Sequence, residues 1–373
     1  MSTNDSTTKS RRGFLKNAAV TGAAAFSAVN PAGAAMPSVA RRLKVGCIGV
    51  GAYSFTSYCW SDIIEPDKPA NNPKRGTFNT QLLNMDITHC WDIDAEANRA
   101  FAERMGAEAV KTYDGMVGKV DGVIFGGFYY VPWQTRIAKP YIEAGIPLYL
   151  SRPFAYSLRD IDWFLDLAAK HGTPIMMTAK FEHYNEAPAL KKKLEKVGRI
   201  LCVQATCNTP DYPIHFHLKY MMMKVLGYDV EKVSVIADAD FGATYIQDTY
   251  IYPESDGRPG FPCVMQGCRN DDSFQVTVYG TDSTVSAGMV RSPEWQDSLL
   301  FRYAPQVIDM QRTFEGNNYE PLDNIRKKTA VFLTGYKSFL EHKGAAVDVA
   351  SLPMDWSPPY PKPGFIDEGM FKG

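Results

Sequence analysis

The stretch that decides the fold is residues 43–54, LKVGCIGVGAYS, in which a short apolar run ends in two glycines one residue apart. Small and β-branched residues suit a buried parallel strand. Gly49 and Gly51 would let the backbone turn sharply and approach a pyrophosphate at the N-terminus of the next helix. The third small residue of the dinucleotide motif G-x-G-x-x-G/A is missing, because Ser54 stands there. The partial motif by itself also fits an ordinary strand–turn–helix.

The residues ahead of this stretch resemble an export signal. Arg11 and Arg12 precede a weakly apolar run at residues 17–29 and a small-residue cleavage site at 32–34. Paired arginines before a short Ala-rich segment are typical of the twin-arginine pathway, and the run is too short to span a bilayer. A disordered basic tail is the alternative. We expect a signal peptide over residues 1–34 and a periplasmic or otherwise exported protein that folds before translocation.

Composition excludes several classes of function. The chain of 373 residues carries a formal net charge of −1, which argues against nucleic acid as a partner. After residue 34 no stretch approaches the about 18 consecutive apolar residues of a membrane span. Seven cysteines cannot all pair internally. No histidine lies near Cys263 and Cys268 in a zinc pattern, so we expect no metal site and mostly buried thiols, with a disulfide left open.

Strands alternate with helices through the first half of the chain. Apolar and turn patterns predict strands at 85–92, 121–127, 146–150 and 174–179, and helices at 55–64, 95–105, 132–144 and 158–171. Such alternation specifies a doubly wound parallel sheet, here over residues 41–180. In such sheets a ligand lies at the carboxyl ends of the strands.

Asp92 stands at the carboxyl end of the second predicted strand. A carboxylate there can accept hydrogen bonds from both adenosine ribose hydroxyls and repels a 2′-phosphate, so Asp92 favours NAD over NADP. A loop rich in Pro, Asn and Gly at residues 66–76 explains its long distance from Gly51. The alternative is that Asp92 caps the helix at 95–105, although Asp94 is better placed to do so. The predicted cofactor-binding residues are Gly49, Val50, Gly51, Tyr53, Ser54, Asp92, Gly126, Gly127, Tyr130, Ser151, Arg152 and Pro153.

Taken together, these motifs resemble the Gfo/Idh/MocA oxidoreductase family. The resemblance rests on the G-x-G turn, on WDID at 91–94, on VDGVI at 120–124, on AGIP at 144–147 and on SRPFA at 151–155. It covers nearly all of the chain after the leader. It implies a dinucleotide domain followed by a domain with a large, mostly antiparallel open β-sheet that binds sugars or polyols and often makes oligomers. The glucose-fructose oxidoreductase branch is also exported through a twin-arginine signal.

One departure from the family pattern lies at residues that the family uses for catalysis. The resemblance implies Glu-Lys-Pro or Asp-Lys-Pro at residues 151–153, with the lysine between nicotinamide and substrate, whereas this chain has Ser151 and Arg152. Buried lysine can lose its proton, but arginine stays charged at any relevant pH. Arg152 can therefore orient a substrate but cannot be the general base. A surface salt bridge is the alternative for Arg152.

The second half, residues 181–352, is predicted to form the substrate domain. A helix at 187–196 and a strand at 200–208 precede His215 and His217. The resemblance points to His217 as the family's histidine, with Tyr220 where an aspartate often stands. On a helix His217 and Tyr220 share a face, while His215 points away by about 200°. We expect His217 to act as general acid/base with Tyr220 orienting or relaying its proton, and keep His215 as a weaker candidate. A packed core histidine is the alternative for His217.

The remaining residues are predicted to complete the open sheet. Strands are expected at 233–241, 243–252, 262–268, 274–280 and 284–289, a helix at 325–342 that packs back on the first domain, and a Pro/Gly-rich tail at 353–373. Exposed aromatic residues on such a sheet pack most often against a neighbouring subunit, which predicts a homo-oligomer. A sugar-stacking platform is the alternative.

Two functions remain open from the sequence. The first is an exported NAD-dependent oxidoreductase with a tightly held cofactor, acting on a sugar, polyol or glycoside, either with net redox or through transient oxidation and elimination. The second is a non-catalytic carbohydrate-binding or scaffold protein that keeps the fold, since fold does not imply function and Ser54, Ser151, Arg152 and Tyr220 all depart from the family at its site.

Overall fold

The computed structural model describes residues 41–51, 54–69, 83–127, 133–152, 154–207, 216–238, 245–255, 257, 259–268, 273–289, 299–317 and 320–359. The predicted export signal and the end of the tail lie outside these residues, as do Tyr53, Tyr130, Pro153 and His215.

The first half forms a six-stranded parallel sheet. Its strands are β1 (Leu43–Ile48), β2 (Met85–Trp91), β3 (Glu108–Ala109), β4 (Gly122–Phe125), β5 (Leu148–Tyr149) and β6 (Ile175–Met176). Their order is β3-β2-β1-β4-β5-β6: the strands β2 and β3 are added on one side of β1, and β4, β5 and β6 are added on the other. That change of side makes a crevice at the carboxyl ends of β1 and β4. The predicted doubly wound sheet is confirmed; the two-residue strand β3 was not predicted.

The helices between these strands lie close to their predicted positions. A π-helical turn (Thr56–Trp60) continues into α1 (Ser61–Ile64), and α2 (Ala95–Met105), α3 (Gln134–Glu143) and α4 (Leu158–His171) follow. Asp94 caps α2 by accepting the N–H groups of Glu96 and Ala97 at 3.0 and 3.1 Å, and Ser157 caps α4 through Asp160. Side-chain caps satisfy donors that the first helical turn leaves unpaired, so these two helices begin where the sequence predicts.

Both faces of the parallel sheet are buried. Consecutive residues of a strand point to opposite faces, and Val123 and Leu148 belong to one apolar core while Ile124 and Tyr149 belong to another. Because helices cover both faces, the central strand β4 is a continuous buried apolar run, whereas β2, nearer the edge, has polar and half-buried residues between its apolar ones.

The second sheet has seven mostly antiparallel strands. After a 3₁₀ turn (Lys180–His183) and α5 (Glu186–Leu194), the chain forms β7 (Ile200–Cys207), α6 (Phe216–Leu226), β8 (Lys232–Ala237), β9 (Tyr245–Tyr252), β10 (Phe261–Cys268), β11 (Phe274–Gly280) and β12 (Thr284–Met289). With β13 (Val347–Asp348) the order is β12-β11-β7-β10-β9-β8-β13, and the β7–β10 pair is parallel. The predicted open sheet is confirmed.

Two long helices complete the described structure. The helix α8 (Leu322–His342) packs on α4 and β8. The other, α7 (Leu299–Phe314), was not predicted. Pro305 inside it argues against a helix, yet its buried residues recur at helical spacing: Tyr303, Val307, Met310 and Phe314. α7 packs on the parallel sheet so tightly that a Cβ on Gly122 would collide with the Phe314 ring.

The cysteines behave as buried thiols. Six of the seven lie in the part of the chain whose side chains are described; all six are free, and all but Cys202 are buried. Among the described residues no group of three His, Cys, Asp or Glu side chains is arranged to hold a metal ion. Within the same ranges no helix is long and apolar enough to cross a bilayer.

Candidate functional site

The glycine turn after β1 forms as the motif predicts. Gly49 has φ of +74°, which favours glycine, and its N–H donates to Trp91 O at 3.0 Å. Gly51 lies against Asp92: a Cβ on Gly51 would sit 3.3 Å from Asp92 Oδ2. The turn therefore brings the end of β1 next to the end of β2.

Asp92 holds this turn through three hydrogen bonds. Its Oδ2 accepts the N–H groups of Val50 and Gly51 at 2.7 and 2.8 Å, and its Oδ1 accepts that of Asp94 at 2.9 Å. Asp92 is buried, and Asp94 caps α2, so the capping alternative for Asp92 is wrong. Asp92 directly follows β2, and its role in ribose recognition stays a prediction.

Ser54 is bonded into the turn. Its hydroxyl donates to Gly49 O and accepts the N–H of Thr56 at 3.1 Å. Ser54 also bridges to Gly127, and Phe55 N–H donates to Gly126 O at 3.0 Å. Gly126 has to be glycine here, because a Cβ would collide with Thr56 Oγ1. Ser54, which departs from the dinucleotide motif, thus joins the glycine turn to the end of β4.

Several buried polar atoms at the carboxyl ends of β4 and β5 have no partner within the described structure. They are Thr56 Oγ1, Gln134 Oε1, Ser151 Oγ and Arg152 Nε. Gln134 is anchored by its other amide atom, Nε2, which donates to Gly127 O at 3.3 Å. A buried polar group without a hydrogen bond is costly, so such a cluster needs an explanation. A polar ligand in the crevice between β1 and β4 supplies one, and the residues present therefore fit a dinucleotide.

Arg152 and His217 meet although 65 residues separate them in the chain. Arg152 Nη2 lies 3.4 Å from both imidazole nitrogens of His217, and both side chains are buried. A guanidinium only donates, and because Nδ1 and Nε2 are equally distant from it, the tautomer of His217 decides which of them accepts. Arg152 is therefore not a surface salt-bridge residue.

Tyr149 contacts Arg152, and Gln306 holds the Tyr149 hydroxyl in place. The Tyr149 hydroxyl lies 3.5 Å from Arg152 Nη1, donates to Thr178 O at 3.1 Å and accepts from Gln306 Nε2 at 2.8 Å. All of these side chains are buried. Neither residue is predicted as part of the site from the sequence: Tyr149 lies within a predicted strand, and Gln306 lies on the unpredicted α7.

Aromatic rings cover this pair of residues. The Phe55 ring centroid lies 5.4 Å from the Arg152 guanidinium carbon, and Phe55 also packs on Trp60 and Tyr303 at 5.5 and 5.7 Å. Phe181 packs on His217 at 5.4 Å. Phe55 directly follows the glycine motif, which is the only sequence signal that could have drawn attention to it.

Tyr220 is buried one helical turn after His217. Lys328 Nζ lies 4.8 Å from the Tyr220 ring centroid and bonds Glu182 and Glu320 at 2.7 and 2.5 Å. Burial raises the pKa of Tyr220 above its ordinary value. Its relay role remains a prediction, whereas the methionines at 221–223 are fully buried and pack as predicted.

Comparison with known proteins gives matches in structure but not in sequence. No protein-family model and no curated protein sequence matches the chain. A probable dehydrogenase from Thermotoga maritima matches 83% of this chain and 100% of its own at 15% identity and a TM-score of 0.62. The scyllo-inositol dehydrogenase of Lactobacillus casei, solved with NAD(H) and scyllo-inositol, matches 83% and 99% at 12% identity and a TM-score of 0.60. An oxidoreductase from Agrobacterium radiobacter, solved with NAD+, L-tartaric acid and magnesium, matches 83% and 99% at 15% identity and a TM-score of 0.58. The chain thus has the fold of these dehydrogenases.

Proposed function

We propose that this protein is an NAD(H)-dependent oxidoreductase that acts on a C–OH group of a sugar, polyol or glycoside. The observation that carries the proposal is the cluster of unsatisfied buried polar atoms around Ser151 and Arg152, beside His217 and at the crevice of a parallel sheet. Two neighbours in structure hold NAD, one of them together with a polyol, which supports the same substrate class.

Three residues of the chain would have distinct roles in this reaction. A bound nicotinamide would supply the hydride acceptor or donor. His217 would take the proton of the substrate hydroxyl, and Arg152, a permanent donor, would fix an oxygen of the substrate. Asp92 would face the adenosine ribose and disfavour a 2′-phosphate, so we propose NAD rather than NADP.

The proposal also covers where the protein acts, how it holds its cofactor and how it assembles. An export signal at residues 1–34 would carry the protein to the periplasm after folding. Because free NAD turnover is implausible there, we propose that the cofactor stays bound, which also admits a redox-neutral oxidation–elimination reaction. We further propose a homo-oligomer through the open face of the second sheet, where Tyr245 and Tyr279 are exposed.

The direct test is to purify the folded full chain and measure nicotinamide absorbance and the NAD released on denaturation. Bound NAD that is reduced or reoxidised by members of a sugar and polyol panel is expected. His217→Ala should abolish this turnover, whereas His215→Ala should retain it. Protein that contains no NAD and gains no thermal stability from added NAD would contradict the proposal.

A non-catalytic carbohydrate-binding or scaffold protein is the second candidate, and one observation favours it. The N–H groups of Val50, Gly51, Ser54, Phe55 and Thr56 all donate to acceptors within the protein. Phe55 also covers Arg152. Under this alternative the sugar panel would shift the melting temperature of protein that binds no NAD.

A further inference from the structure

A second constellation of polar side chains adjoins the candidate oxidoreductase site, since the backbone carbonyl of Thr178 accepts from Tyr149 and Gln306. His183 Nδ1 lies 2.7 Å from Asp309 Oδ2, and His183 Nε2 lies 2.7 Å from Thr178 Oγ1. Thr178 follows β6, His183 ends the 3₁₀ turn, and Asp309 comes from α7. Three elements thus align a carboxylate, an imidazole and a hydroxyl in the order that an acyl-transfer triad requires.

The protonation states of this triad follow from its partners. Although burial opposes it, hydrogen bonds from His183 and Arg312 lower the pKa of Asp309, so the carboxylate is charged and only accepts. In the neutral form of His183 the proton sits on Nδ1, because the Asp309 carboxylate can only accept. Nε2 then accepts the Thr178 hydroxyl proton, which is the direction of transfer that activates a hydroxyl as a nucleophile.

The triad opens into a cavity. This cavity of about 200 Å³ is lined by Thr178, His183 and Asp309 together with Lys224 and Asn324. A second cavity of about 240 Å³ shares His183, Lys224 and Asp309 with the first. Since a water molecule takes about 30 Å³ of liquid volume, the first cavity has room for a short acyl group.

Two donors line the same cavity. Lys224 Nζ donates to Glu182 O at 2.8 Å, which occupies one of its three N–H donors. The Asn324 side chain adds a carboxamide N–H₂ group. Ammonium and amide groups of this kind stabilise an oxyanion that develops at an attacked carbonyl. The cavity is therefore lined by a hydroxyl, an imidazole, a carboxylate that positions the imidazole and two N–H donors, together with the acidic residues Glu182 and Glu320.

We propose that Thr178, His183 and Asp309 form a second active site, which hydrolyses carboxylic esters with a short acyl group. Thr178 Oγ attacks the ester carbonyl carbon while its proton moves to His183 Nε2. The C–O bond to the alcohol breaks, and the alcohol leaves with that proton. Water, deprotonated by His183, then attacks the acyl-threonine, which releases the carboxylic acid and restores the Thr178 hydroxyl. Asp309 is a positioning residue that holds the His183 tautomer.

The test uses the full chain with p-nitrophenyl acetate as substrate and an alkyl fluorophosphonate as covalent probe. Peptide mapping is expected to find the phosphonate on Thr178. Thr178→Val, which keeps the shape and removes the hydroxyl, should lower hydrolysis at least about 100-fold, whereas Thr178→Ser should retain it. Thr334→Val is the matched control: it removes a buried hydroxyl that bonds Ala330 O in α8, away from the cavity, and should leave hydrolysis unchanged.

The variant Asp309→Asn tests whether Asp309 positions His183 for catalysis or only stabilises the fold. Because the carboxamide can donate to Nδ1, it favours the opposite tautomer, so kcat should fall about 100-fold or more with KM within about twofold of the parent. A lower melting temperature with unchanged kcat would assign the triad to a structural clamp and overturn the proposal. Acetyl or phosphonate groups found on lysines but not on Thr178, or wild-type hydrolysis by Thr178→Val, would overturn it as well.

Discussion

Lys219 and Asp248 form a fully buried ion pair, with Lys219 Nζ 3.1 Å from Asp248 Oδ1 and at most 1% of either side chain exposed. Lys219 lies on α6 two residues after His217, and Asp248 lies on β9 in the open sheet. Burial lowers the pKa of Lys219 to about 8, and the attraction of Asp248 only partly opposes this. The pair therefore joins the candidate catalytic helix to the sheet at a cost in desolvation.

The first prediction concerns the stability of this pair. Lys219→Met should lower the free energy of unfolding by about 3–5 kcal/mol, because it leaves the Asp248 carboxylate buried and unpaired. The double variant Lys219→Met/Asp248→Leu should be as stable as the parent or about 1–4 kcal/mol more stable. Urea unfolding of the three proteins measures this. A double variant no more stable than Lys219→Met would show that the pair is net stabilising.

The second prediction follows from the lowered pKa of Lys219. Unfolded lysine titrates near about 10.4, so between pH 8 and pH 10 the unfolded chain binds more protons at this site than the folded protein does. The contribution of Lys219 to stability should therefore rise with pH across this window and be constant below it. Urea unfolding at pH 7, 8, 9 and 10 tests this, with Lys219→Met/Asp248→Leu as the control that removes the site. Equal slopes in both proteins would contradict the prediction.

The third prediction concerns Asp92. Asp92→Asn should destabilise the protein by about 1–3 kcal/mol, because its NH₂ group would face backbone N–H donors that the carboxylate now accepts. It should also weaken NAD binding. Asp94→Asn is the matched control: asparagine caps a helix as well as aspartate, so stability should change by less than about 0.5 kcal/mol. Chemical unfolding and calorimetric NAD titration compare the two, and equal effects on stability would count against the special role of Asp92.

The fourth prediction tests whether the protein needs the hydroxyl of Ser54 or only a small residue at that position of the motif. Ser54→Ala restores a small residue to the dinucleotide motif, yet it should cost about 1–3 kcal/mol, because Gly49 O and Thr56 N–H lose their buried partner. Ser283→Ala, in an exposed turn of the second sheet, removes a hydroxyl that bonds Lys196 O and should cost less than about 1 kcal/mol. Thermal and urea unfolding measure both. An unchanged or more stable Ser54→Ala variant would show that the hydroxyl is dispensable.

The sequence by itself determined the parallel sheet of the first half and many element boundaries, whereas the open second sheet was what the family resemblance implied. The helices Ala95–Met105 and Leu158–His171 begin and end where their caps, apolar period and terminal glycines predict. The antiparallel strands β11 and β12 also lie at their predicted bounds. These features depend on residues close in the chain, which is why a local pattern suffices for them.

Only the tertiary structure decided how the candidate site is assembled. Arg152 and His217 lie on different elements, and nothing local shows that their side chains meet beneath Phe55. The same holds for Asp309 of α7, whose carboxylate reaches His183 across 126 residues. A motif records residue size, by which Ser54 departs from the pattern, whereas the role of Ser54 comes from a hydroxyl that bonds Gly49 O and Thr56 N–H as the turn closes on β4. Contacts between distant segments depend on how the helices pack on the sheets, and no periodicity within one segment encodes that packing.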